Sequence, residues 1–278
     1  MLKLDQHSRL AFIEFILYWE AEIQSRTLTS QFAISRQQAW QDLRIYCERF
    51  PKNCLLDGLT KAYRVLPTFC PQIVRPNLDD YLNWVANPSC IPQFTCEKTS
   101  PTASLKLPQR QVNLPTIRQL VKAKRASQRA EVDYVSLKNP NREGRIITPH
   151  SFFNTGLRWH LRAWCEKHRE YRDFVLSRFR GDVELLGRSE MTGENDSNWH
   201  KEIELIFVPD RRLSPEQRAV IAHDYAMEDG ELCVNTRAAL AHYLLQQMQV
   251  NVTTLHANPE AQQLELVNIN DVKEWLFH

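Results

Sequence analysis

Arg158-Trp159-His160-Leu161-Arg162-Ala163 sets a cation or a titratable ring at every second position. In an extended strand that alternation directs Arg158, His160 and Arg162 to one face and Trp159, Leu161 and Ala163 to the other. Three such groups in a row repel one another unless an anion, an acidic partner or solvent accommodates them. An arginine grips phosphate through two parallel hydrogen bonds, and a histidine adds one that depends on its proton. Ser136, Arg145, His150, Arg172 and Arg178 lie close by in sequence and enlarge the set. The chemistry that follows is capture of an anionic ligand, a nucleotide or a short oligonucleotide. The plain alternative is a basic face turned to solvent or packed against an acidic part of the chain.

Catalysis is a weaker reading of the same residues. A metal-dependent nuclease groups carboxylates around Mg²⁺. Residues 110–180 hold only Glu131, Asp133, Glu143, Glu166, Glu170 and Asp173, with no paired spacing. Cys165 follows Trp164 and reads as a packed side chain rather than a nucleophile. Seven cysteines, an odd and scattered set, include no C-x-x-C pair, and no two of the nine histidines are spaced H-x-x-x-H. With 7 glycines there is no phosphate-cradling loop, and no G-x-S-x-G occurs. No catalytic residue, metal or cofactor is therefore expected. The longest apolar run, Ala11 to Trp19, is too short to span a bilayer and contains Glu14; the N-terminus lacks the pattern of a signal peptide. A cytoplasmic protein with reduced thiols, not associated with a membrane, is the expectation.

A second chemical feature lies near the N-terminus. Ser35 is placed to cap a helix over 36–50. Ala39, Leu43, Tyr46, Cys47 and Phe50 form its apolar face; Gln37, Gln41 and Arg44 lie opposite, with Arg36 and Gln38 at the N-terminal end. Gln pairs with adenine and Arg with guanine through two hydrogen bonds each, and a capped helix start holds a phosphate. Ahead of this helix, apolar spacing predicts a helix over 8–23 and a short one over 27–32. After it, Cys54 to Leu56 and Ala62 to Leu66 flank Asp57-Gly58 as a hairpin. Three helices and a wing make a winged helix-turn-helix with its third helix suited to a major groove.

The rest of the chain supplies the frame. A helix is expected over 76–87, followed by a proline-rich linker over 88–115. A helix over 116–124 and strands over 130–137, 145–148, 157–165 and 174–179 read as a small curved, SH3-like sheet. A strand over 201–208, a helix from Ser214-Pro215 to Tyr225, a strand at 232–234, a helix over 237–249 and a strand at 264–267 make an α+β lobe. The fold class is thus α+β and multidomain: a winged helix domain over 1–87, the linker, a sheet domain over 116–190 and a C-terminal lobe over 191–278. The formal net charge of +2 hides opposed parts: +3 over 1–75, +10 over 110–180 and −10 over 181–278. The basic middle points to an anionic partner, and the acidic end reads as packing near it. The modest +3 of the winged helix implies that a dimer is needed for tight DNA binding.

Arg158-Trp159-His160-Leu161-Arg162-Ala163 followed by Tyr171-Arg172-Asp173-Phe174-Val175-Leu176-Ser177-Arg178 resembles the WYL domain of bacterial transcriptional regulators. The middle residue of the Trp-Tyr-Leu triplet is here His160. Arg145, Pro149-His150, Ile34-Ser35-Arg36-Gln37-Gln38-Ala39, Pro51-Lys52-Asn53 and Lys61-Ala62-Tyr63 resemble the BrxR and CapW type of these regulators, found in phage-defence islands. The resemblance covers nearly the whole chain, with the last part similar to the extension domain of those regulators. It implies a homodimer that binds an inverted repeat in double-stranded DNA, represses a defence operon and senses a nucleotide or nucleic-acid fragment. The helix face, its capped start and the wing give a DNA-contacting set of Ser35, Arg36, Gln37, Gln38, Gln41, Arg44 and Lys61. The implied sensing set is Ser136, Arg145, His150, His160, Arg162 and Arg172, joined by Arg158 from the strand pattern, with Trp159 and Leu161 packed beneath. The alternatives are a ligand-independent nucleic-acid-binding protein and an enzyme that processes nucleic acid.

Overall fold

A computed structural model describes residues 6–89, 108, 110–141 and 143–276. The chain divides into two compact units, Met1–Gln109 and Arg110–His278. Most of the expected 88–115 linker lies outside the described residues.

In the first unit α1 (Gln6–Glu20) is apolar on nearly every side and buried almost throughout. It ends earlier than its spacing predicts. Ala21 turns left-handed (φ 64°), and Glu22–Ile23 leave the helix as β1. Ile23 pairs there with Tyr63, so the strand order is β1-β3-β2, with β2 at Cys54–Leu56 and β3 at Tyr63–Val65. Between β1 and β2, α2 (Ser25–Phe32) and α3 (Arg36–Arg49) meet at a tight turn with Ala33 left-handed. Ser35 caps α3 by accepting from the Gln38 N–H at 3.1 Å, and the helix stops before Pro51. The wing turns through Asp57, whose side chain accepts from the Leu59 N–H at 2.9 Å; Lys61 is left-handed at its far end. α4 (Leu78–Ala86) packs Tyr81 and Trp84 against α1, with Trp19 stacked on Tyr81 at 5.0 Å.

One buried charge ties this unit together. Glu14, on α1, accepts from the Tyr46 hydroxyl on α3 at 2.9 Å and from the N–H groups of Gln72, Ile73 and Val74 at 2.9, 2.6 and 2.8 Å. A fully buried carboxylate needs such donors.

The second unit begins with α5 (Leu114–Ala126), capped by Asn113 and carrying Pro115 in its first turn. It lies on a five-stranded antiparallel sheet of order β7-β6-β5-β4-β8. The strands are β4 (Gln128–Tyr134), β5 (Glu143–Asn154), β6 (Trp159–Cys165), β7 (Glu170–Val175) and β8 (Phe179–Arg188). The single strand expected over 174–179 is two: a 3₁₀ turn at Leu176–Arg178 separates β7 from β8, and β8 crosses to pair with β4. Both faces of β6 are covered, with Trp159, Leu161 and Ala163 buried on one side and His160 and Arg162 on the other. Cys165 is buried and free.

A strap containing α6 (Ser197–His200) leads into the C-terminal lobe. There β9 (Glu202–Pro209) alternates buried Ile203, Leu205 and Phe207 with outward residues. α7 (Pro215–Asp224) begins at Ser214 with a reciprocal capping pair to Gln217. β10 (Leu232–Arg237) extends to Arg237, so the helix expected from that residue starts later, as α8 (Ala241–Gln247). α9 (Pro259–Gln262), β11 (Leu264–Leu266) and α10 (Ile269–Leu276) follow; the last was absent from the sequence reading. Sheet order is β10-β9-β11, and Leu205, Phe207, Ala241, Leu245, Leu264 and Val272 fill the core. Among the described residues no helix is long and apolar enough to cross a membrane.

Candidate functional site

In the first unit, α3 turns a polar stripe outward. Arg36, Gln37, Gln41 and Arg44 are exposed, as are Ser35 before the helix and Lys61 on the wing. Gln38 differs: it is half-buried, and its amide donates to Asp42 at 3.1 Å. The buried Asp42 carboxylate also accepts from Arg9 of α1 at 2.6 Å. Asp42 therefore ties α3 to α1 through Arg9, and Gln38 braces that carboxylate from within α3. Arg44 bonds Glu48 one turn on, at 2.7 Å. Trp40, which the sequence reading passed over, lies in the same outward stripe and is 49% exposed. Its i, i+4 spacing from Arg36 and Arg44 was the available signal.

In the second unit, the basic row of β6 is real but not bare. His160 and Arg162 are 1% and 6% exposed. Arg162 donates to Asp196 twice, from Nε at 2.5 Å and Nη2 at 3.1 Å, and from Nη1 to Asp173 at 3.0 Å. His150 joins because β5 bulges between Pro149 and Ser151, leaving it the extra residue. Its Nε2 donates to Asp196 at 3.1 Å, and its ring meets Tyr171 and Trp199 edge-on. Gly193 lies against it; a Cβ there would come within 3.1 Å of His150. Burial opposes the Asp196 charge, but the bonds from His150 and Arg162 outweigh it and hold the carboxyl at about 2. The acidic segment thus does neutralise part of the basic strand, as the plain alternative required.

His160 is stacked on Phe153 with ring centres 5.0 Å apart, and Tyr243 of α8 covers it from the lobe side. Burial, with the Arg158 cation adding to it, pushes the His160 imidazole down to about 4. It is a neutral core ring, and its Nδ1 has no partner. That corrects the expectation of a proton-dependent bond from His160 to a ligand. Tyr243 also donates to Asp173 at 3.2 Å, so the lobe touches both the ring and the Arg162 pair.

The remaining expected residues separate. Ser136, Arg145, Arg162 and Arg172 line one open groove of about 1290 Å³, together with Tyr134, Trp164, Tyr171 and Arg178. His150, Arg158 and His160 are not among its lining residues. Arg145 donates to Glu143 at 3.0 Å and to His168 Nδ1 at 3.3 Å, while its buried Nε has no partner. Arg172 is exposed beside Glu170 at 2.8 Å, and the Ser136 hydroxyl accepts from the Asn139 N–H at 2.9 Å. Asp173 faces Arg162 directly across the β6–β7 pair, a neighbour that only the register reveals.

A winged helix with a polar third helix, joined in one chain to a basic antiparallel sheet and an α+β lobe, is the domain set of a WYL-type transcriptional regulator. Comparison with known families agrees: residues 5–87 match the BrxR transcriptional regulator winged helix-turn-helix domain, 115–184 the WYL domain, and 202–272 the BrxR transcriptional regulator C-terminal dimerization domain. The DNA-binding transcriptional repressor CapW of Escherichia coli is 36% identical over 96% of this chain and 90% of its own length. The repressor of the same name from Pseudomonas aeruginosa is 32% identical over 97% and 91%, and that of Stenotrophomonas maltophilia 28% over 99% and 93%. Among solved structures, proteasome accessory factor B/C (PafBC) of Arthrobacter aurescens matches over 97% of this chain and 48% of its own at 13% identity, with a TM-score of 0.26. The chain belongs to the BrxR/CapW family of WYL-domain transcriptional regulators.

Proposed function

We propose that the chain is a homodimeric, cytoplasmic repressor that binds an inverted repeat upstream of a phage-defence operon. It reads the DNA with Gln37, Gln41 and Arg44 of α3, while Ser35, Arg36 and Lys61 hold phosphates. The observation that carries this is the outward stripe of α3, capped by Ser35 and braced by Asp42, in a chain alike over its whole length to named DNA-binding repressors. The lobe that matches a dimerization domain supports two copies on one site.

The effector is an anionic nucleotide or oligonucleotide. The groove beside β6 supports this: Arg145, whose buried Nε has no partner, lines it together with Arg162 and Arg172, and aromatic rings line it next to them. To reach Arg162, the anion takes that guanidinium from Asp196. This frees the strap before β9 and shifts the lobes to a spacing that no longer fits the operator. The internal pairing of Arg162 favours one second reading, in which the basic sheet is structural and DNA binding needs no effector.

A mobility-shift titration on the DNA upstream of the gene, at fixed salt with excess unrelated DNA, is the test. Preferred binding at an inverted repeat, lost on adding short oligonucleotides, supports the whole reading. Preferred binding that no anion changes leaves the second. Equal binding to both DNAs overturns sequence-specific repression.

A further inference from the structure

Trp40 lies on the outward stripe of α3, one turn after Arg36 and one before Arg44. The Arg44 guanidinium sits over its ring, 5.9 Å from the centroid, and its Nε donates to Glu48 at 2.7 Å. Gln37 and Gln41 are its neighbours on the same helix, and all of these side chains are exposed. The opposite face of the helix already has its core in Ala39, Leu43 and Tyr46, so Trp40 is not needed there. An indole, apolar with one polar edge, is the kind of side chain enriched at contact surfaces, and the arginines one turn to either side of it suit a polyanion. In the major groove one apolar group is offered by a base edge, the 5-methyl of thymine.

We propose that Trp40 is a specificity-determining residue that packs on thymine 5-methyl groups in the operator, with Arg44 held against the ring for the neighbouring base. The inference rests on the DNA-reading role given above. Trp40 supplies an apolar reading element between polar ones, so the operator carries thymine at the position it covers. The Arg44–Glu48 pair keeps the indole face flanked and limits its rotamers.

The test compares the upstream DNA amplified with dTTP and the same fragment amplified with dUTP, which removes only the methyl groups. The native protein should bind the uracil fragment about fourfold more weakly for each methyl contacted, the change expected of one buried methyl. Trp40→Ala should bind the thymine fragment more weakly and bind both fragments alike. Arg44→Ala should lose affinity but still distinguish them. Equal affinity of the native protein for the two fragments overturns the inference, and needs no variant to fold. So does a Trp40→Ala protein that discriminates thymine from uracil as the native one does. Native protein that does not prefer either upstream fragment over unrelated DNA fails the DNA-reading role itself, a separate result.

Discussion

Asp196 presents both carboxylate oxygens to the Arg162 guanidinium, at 2.5 and 3.1 Å, while His150 holds Oδ2 from another side at 3.1 Å. An internal carboxylate thereby occupies the place that a phosphate would take on Arg162. Asp196→Asn removes the charge but leaves Arg162 its bond to Asp173. Losing one member of a buried pair costs about 3–5 kcal/mol; with Asp173 retained, the lower end is expected. The variant should melt earlier than the native protein. A short single-stranded oligonucleotide should raise its melting temperature more than it raises that of the native protein, because the anion then supplies the missing charge. An equal rise in both would remove Arg162 from the effector site.

His160 makes a pH prediction of definite sign. Its folded value, about 4, lies below the ordinary 6.5, so between those values the unfolded chain binds the proton and the folded chain does not. Stability from this group is complete above about 6.5 and falls as pH drops towards 4, by up to about 3 kcal/mol. Arg158, Arg178 and His242 are the charged or titratable neighbours that disfavour its cation. His160→Tyr, which restores the family's Trp-Tyr-Leu triplet, should flatten the melting temperature across that window. Asp196 acts in a lower window, losing its contribution as pH falls from about 3.9 through its folded value of about 2. Thermal melts at half-unit pH steps separate the two.

How much of this was legible follows from where each signal resides. α3, its Ser35 cap and the wing are local patterns, and the sequence carries them almost residue for residue. The β6 alternation was legible too, but its consequence was not. Arg162 meets Asp196 across 34 positions and Tyr243 meets Asp173 across 70, distances over which periodicity is silent. The break between β7 and β8 was hidden because Phe174-Val175-Leu176 and Phe179 keep an apolar rhythm through the 3₁₀ turn. Glu22–Ile23 read as helix for want of any local signal that β3 would claim them. The α10 segment has helical spacing, a signal the sequence does carry.

Glu14 offers a test of the first unit alone. Its carboxylate accepts from four donors on two separate segments. Glu14→Gln can keep an oxygen on the three N–H groups, but its amide nitrogen then faces the Tyr46 hydroxyl, which loses its acceptor at a cost of about 1–3 kcal/mol. The winged helix should unfold earlier while the sheet unit keeps its transition. Because Tyr46 on α3 is one of the donors, DNA affinity should fall with it. An unchanged first transition in calorimetry would mean that these bonds form without net gain.

The outward residues of α3 divide by the kind of contact they make, and salt tells them apart. A phosphate contact releases a counterion, so losing it weakens binding to every sequence and lowers the slope of log affinity against log salt by about 1. A base contact instead carries about 1–3 kcal/mol of discrimination and leaves the slope nearly unchanged. Arg36, at the helix start, should behave in the first way on alanine substitution; Gln41 should behave in the second, with its loss confined to the inverted repeat. Arg44, positioned by Glu48 and Trp40, should lose both discrimination and one unit of slope. Gln38→Ala should act through Asp42 on the helix angle, lowering the melting temperature of the first unit along with affinity. Fluorescence anisotropy on the repeat and on a scrambled fragment, over a range of salt, reads all four. If Gln41→Ala and Arg44→Ala both retain native affinity and slope, α3 does not turn its Gln41–Arg44 stripe to the groove.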